Sequence, residues 1–129
     1  MGIEVKEGLL VYLAGPYTHK SKRVREYRFQ RLTKASALLI LQHGYNNFSP
    51  ITQSHLQALH EELPGTWNFW QQVDIEYLKR CDILVVLRLP GWDKSVGVAA
   101  EISYMKATGK PIWYADLDEA HNTLIIEKE

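Results

Sequence analysis

Two acids in this 129-residue chain stand where acids are costly. Glu101 closes the stretch Ser95-Val96-Gly97-Val98-Ala99-Ala100-Glu101 and is at helical spacing from Val98 and Met105, on the face a helix buries. Asp74 is four residues from Trp70 and four from Leu78, so it shares a second apolar stripe. A carboxylate in such a place has a partner or a task, and the tasks open to it are those of acid, base or nucleophile. Each also has a plainer reading. Glu101 could complement the positive end of its helix, and Asp74 could pair with Arg80 or Arg88. A third polar group, Tyr12, could be a core aromatic whose hydroxyl finds a backbone partner.

The elements needed to position these side chains are legible. Leu9 to Ala14 is an apolar strand ended by the turn Gly15-Pro16. Apolar positions recur at three and four from Ser21 to His43, a helix stopped by Gly44. Asn47-Phe48-Ser49-Pro50 suits the end of a brief strand, and Thr52 to Glu62 reads as a short helix. Thr66 can cap a helix running to Arg80. The strand Asp82 to Arg88 follows, apolar throughout from Ile83 to Leu87 and so buried on both faces. After the loop Leu89 to Asp93 comes the helix of Glu101, stopped by Gly109. Pro111 to Tyr114 opens a further strand, and Thr123 to Ile126 suits an edge strand. This alternation predicts one α/β domain over residues 1–129: a flavodoxin-like, doubly wound three-layer sandwich with a parallel sheet of five strands.

In that fold the three polar groups converge. Asp74 lies eight residues before Asp82. That is roughly 12 Å of helix running back towards the carboxyl end of the strand. Glu101 is near the start of the next helix, at the same edge, and Tyr12 is near the end of the first strand. Open α/β sheets bind ligands at this edge, here between the first and third strands.

Composition narrows the classes. Formal net charge is zero, which argues against a nucleic-acid polymer as partner. No segment suits a signal peptide or membrane span, and the single cysteine, Cys81, fits a reducing cytoplasm. His43, His55, His60 and His121 lack metal-ligand spacing, so no metal or other cofactor is expected. Phosphate-loop, dinucleotide and nucleophile-elbow motifs are absent from the sequence.

Tyr12-Leu13-Ala14-Gly15-Pro16, the Asp74 to Asp82 spacing and Val96-Gly97 to Glu101 together resemble the nucleoside 2-deoxyribosyltransferase superfamily, over residues 9–115. Ser49-Pro50-Ile51-Thr52 and Gly91-Trp92-Asp93-Lys94-Ser95-Val96-Gly97 resemble a small bacterial and phage branch of it. The resemblance implies cleavage or transfer at the N-glycosidic bond of a 2′-deoxyribonucleoside or its 5′-monophosphate. Glu101 would attack the anomeric carbon, Asp74 would protonate or hold the leaving base, and Tyr12 would aim Glu101. Gly15, Pro16, Tyr17, His19, Trp92, Asp93, Ser95 and Gly97 would contact substrate, with Trp92 stacking on the base. Trp67 and Trp70 are expected to pack the core or a subunit contact.

The transferases carry an Asp where this chain has Ser95, and a Ser there is similar to the nucleotide N-hydrolases, in which it helps hold a 5′-phosphate. Asp93 could replace the missing acid. His19, Lys20, Lys22 and Arg23 at a helix start could attract the phosphate or simply be solvated. The superfamily also implies a homo-oligomer. The alternative function is a non-catalytic nucleotide-binding or sensing module on the same fold.

Overall fold

A computed structural model describes residues 2–128. The chain runs β1 (Leu10–Ala14), α1 (Lys22–His43), β2 (Asn46–Phe48), α2 (Pro50–His60), α3 (Trp67–Leu78), β3 (Ile83–Leu87), α4 (Val96–Thr108), β4 (Ile112–Asp118) and β5 (Thr123–Glu127), with a 3-10 turn at Trp92–Lys94 before α4. The strands form one sheet in the order β2-β1-β3-β4-β5, flavodoxin-like as expected. β2, β1, β3 and β4 run parallel, with Tyr12 opposite Leu84 and Leu13 opposite Val85.

The five-stranded sheet is parallel except at its margin, where β5 pairs antiparallel with β4. The connection explains it. A tight turn ending at Asn122, with φ of 50°, leaves no room for the crossover a parallel strand requires. Three helix ends also shift, α2 closing at His60 rather than Glu62. α2 starts at Pro50 rather than Thr52, since proline suits a first turn whose N–H groups lack helical partners. α3 ends at Leu78 rather than Arg80.

Strand alternation divides the core in two. Val11 and Leu13 of β1, with Ile83, Val85 and Leu87 of β3, face α1 through Leu32, Ala35, Leu38 and Leu39. Tyr12 and Ala14, with Leu84 and Val86, face the other way, against Leu78 of α3 and Val98 and Met105 of α4. Tyr12 therefore emerges on the side of the sheet covered by the two helices that carry Asp74 and Glu101. The chain winds outward in both directions from β1 and β3, so the crevice at their carboxyl ends is the switch point of the fold.

Candidate active site

Three local devices aim the acids. α4 is capped by Ser95, whose Oγ accepts the Val98 N–H at 3.2 Å. This fixes the first turn, so Glu101 points inward between Val98 and Met105 and is 5% exposed. On α3, Trp70, Asp74 and Leu78 form one line, and Asp74 is 7% exposed. At the end of β1 the chain turns at Gly15, where any Cβ would come within 2.6 Å of Leu32 Cδ2. The missing side chain lets α1 pack close beneath the turn.

The two acids line one cavity of about 580 Å³. Tyr12, wholly buried, donates its hydroxyl hydrogen to Glu101 Oε2. Burial, with the nearby charges of Glu101 and Asp74, raises the Tyr12 phenol well above its usual value, so it remains a donor. Burial likewise pushes Glu101 up to about 8, the Tyr12 hydrogen bond pulling it down and the Asp74 charge pushing it up. Asp74 rises to about 7 through burial alone. The arginines considered as its partners are engaged elsewhere: Arg80 with Glu76, Arg88 with Asp116 and Glu127. Two raised carboxyls within each other's field share protons as a pair. The Tyr12 hydroxyl supports the ionised form of Glu101, but burial still leaves Glu101 above Asp74, so the form with charge on Glu101 and the proton on Asp74 is the minor one of the singly protonated pair.

Of the expected substrate contacts, Gly15, Pro16, Tyr17, His19, Ser95 and Gly97 line the cavity. Trp92 and Asp93 do not. The 3-10 turn carries them off the wall: Trp92 packs on Tyr114, with ring centroids 5.6 Å apart, and Asp93 is exposed. The aromatic lining comes instead from Trp67 and Trp70, not from the core or subunit packing that the sequence predicts for them. Trp70 donates its indole N–H to Pro64 O at 2.7 Å, so it can offer a ligand only its ring. Trp67 lies over Gly97, where a Cβ would stand 3.3 Å from Trp67 Cε3. The signal was in the sequence, since Trp67, Trp70 and Asp74 at spacings of three and four share a helix face.

Positive charge is also placed differently. Lys20, Lys22 and Arg23 are exposed at the α1 start, while Arg28 and Lys94 reach the cavity. Arg28 donates to the carbonyls of Thr18 at 3.0 Å and Pro90 at 3.1 Å, tying together the loops after β1 and β3. It faces no carboxylate within salt-bridge distance among the described residues, and nothing in the local sequence pattern marks it out. Among those residues no group of three or more His, Cys, Asp or Glu could hold a metal ion, and no helix is long and apolar enough to cross a membrane.

Comparison with known proteins adds two likenesses. The model of a family described as "Domain of unknown function (DUF1937)" matches residues 9–116. The solved structure of a 2-deoxyribosyltransferase from the psychrotolerant bacterium Bacillus psychrosaccharolyticus superposes with a TM-score of 0.58 at 24% identity, covering 85% of this chain and 74% of that one. That likeness is one of fold. No curated protein matches the sequence.

Proposed function

We propose that this chain, which belongs to the DUF1937 family, cleaves or transfers the N-glycosidic bond of a 2′-deoxyribonucleoside or its 5′-monophosphate. The observation that carries this reading is Glu101: a buried carboxyl held by the Tyr12 hydroxyl, sharing its cavity with a second raised carboxyl, Asp74. The fold shared with a 2-deoxyribosyltransferase supports it.

The chemistry follows from the acids. Ionised Glu101 attacks the anomeric carbon and forms a glycosyl ester as the bond to the base breaks. Protonated Asp74 delivers its proton to the departing base nitrogen, which leaves neutral. Asp74, now a carboxylate, takes a proton from water (hydrolysis) or from an incoming base (transfer) as that group attacks the same carbon and releases Glu101. Tyr12 steadies the Glu101 charge before attack and after release. The ring faces of Trp67 and Trp70 suit a planar base, an interaction of order 1–3 kcal/mol per base.

A phosphorylated substrate is favoured by one feature, the set Arg28, Lys94, His19 and the capped start of α4 along the same cavity. Incubation with the four common 2′-deoxyribonucleosides and their 5′-monophosphates, with free base measured by chromatography, tests the whole reading. Base release that disappears in Glu101→Gln is expected. Ligand binding without release at high protein concentration would instead mark a nucleotide-sensing module.

A further inference from the structure

Apart from the acid pair, a second chain of polar contacts ends at the cavity. The Tyr17 hydroxyl lies 2.7 Å from His55 Nδ1, and His55 Nε2 lies 2.8 Å from Glu26 Oε2. The His55 residue is 7% exposed, and its ring is stacked on Phe29 with centroids 4.0 Å apart and planes 19° from parallel. Tyr17 forms part of the cavity wall; His55 lies behind it.

The direction of these bonds follows from chemistry. An ionised carboxylate only accepts, so Nε2 donates to Glu26. A neutral imidazole then has only a lone pair at Nδ1, and the phenol must give it its one proton. Burial raises the Tyr17 phenol above its ordinary value, with Arg25 lowering it and Glu26 raising it, so the proton stays on oxygen. What Tyr17 has left for a ligand is a lone pair. The main chain that carries Tyr17 is tied down, because Arg28 donates to the carbonyls of Tyr17 and Thr18 and Arg25 to that of His19.

We propose that Tyr17 is a specificity-determining residue that meets the ligand as a hydrogen-bond acceptor, its polarity set by His55 and Glu26. The site accordingly selects nucleosides that present a hydroxyl or amino donor to the β1–α1 loop. This deepens the glycosidic reading and rests on it.

The test uses whichever deoxynucleoside is cleaved fastest, beside three analogues methylated at O5′, at O3′ or at a base N–H. One analogue is expected to lose at least tenfold in kcat/KM with the native protein, mainly through KM. In Tyr17→Phe the gap between parent and analogue should shrink to within about twofold. His55→Phe keeps the stack on Phe29 but frees the phenol hydrogen, and it should tolerate the disfavoured analogue better than the native protein does. Nitrogen-15 shifts of His55 should place the proton on Nε2, a readout independent of turnover. Equal cleavage of all four compounds, a gap unchanged in Tyr17→Phe, or a proton on Nδ1 in place of Nε2 overturns this assignment alone. A native protein that neither binds nor cleaves any of them overturns the glycosidic reading as well.

Discussion

At the scale of single residues, the protonation of two acids sets the behaviour of the site. In the proposed reaction the productive form carries one proton between them, with charge on Glu101 and the hydrogen on Asp74. Below about 7 both acids are protonated and the nucleophile is lost; above about 8 both are ionised and the acid is lost. The profile of kcat/KM against pH should therefore be a bell with its maximum between those values, and a flat profile from pH 6 to 9 would contradict the assignment. Tyr12→Phe removes the only side-chain donor to Glu101 among the described residues. A hydrogen bond to a charged group contributes about 1.5–3 kcal/mol, so kcat should fall roughly 10- to 100-fold. The bell should also move to higher pH, because Glu101 then ionises less readily. These three residues were legible because each breaks a local rule, an acid or hydroxyl on an apolar face, and the fold brings such exceptions together. Trp92 and Asp93 were misplaced because no periodicity shows which way a loop turns its side chains.

At the scale of elements, the contact between α3 and α4 shapes the cavity. Gly97 lets Trp67 lie across the opening turn of α4. Gly97→Ala gains helix propensity of about 1 kcal/mol but pushes the indole aside by a few tenths of an ångström. Tm should change by no more than a few degrees while KM in the proposed reaction rises several-fold, measured by calorimetry and steady-state kinetics. Ser95→Ala removes the cap on the helix that carries Glu101, at a cost of about 1 kcal/mol. Helix existence and type could be read from apolar spacing and from Gly44 and Gly109 as stops. Their contacts with neighbouring elements could not, so the sequence does not show that Trp67 and Trp70 line the cavity or that Arg28 reaches it.

At the scale of the whole molecule, the same acids reduce stability. In the unfolded chain both lose their protons near pH 4, whereas in the fold they keep them to about 7 and 8. The folded state thus holds more protons in between, and this contribution to stability fades as pH rises through that range. The double variant Asp74→Asn, Glu101→Gln should melt at a higher temperature than the native protein at pH 8.5. The gain should be far smaller at pH 5; equal gains at both would show that the acids are not buried as described. Sheet order and layers were legible because β1 and β3 are apolar on both faces and every parallel crossover carries a recognisable helix. The direction of β5 was not, because a short apolar run carries no record of which way it travels.

The β4–β5 hairpin has a practical consequence. Its second strand, β5, extends the sheet beyond the last parallel strand, and none of the hairpin's residues lines the cavity. Its exposed tip at Ala120–His121, just past the Glu119 carboxylate that pairs with Arg31, is therefore a place to splice in a short epitope or a fluorophore anchor. Such a graft would report on folding while the chemistry two strands away proceeds undisturbed.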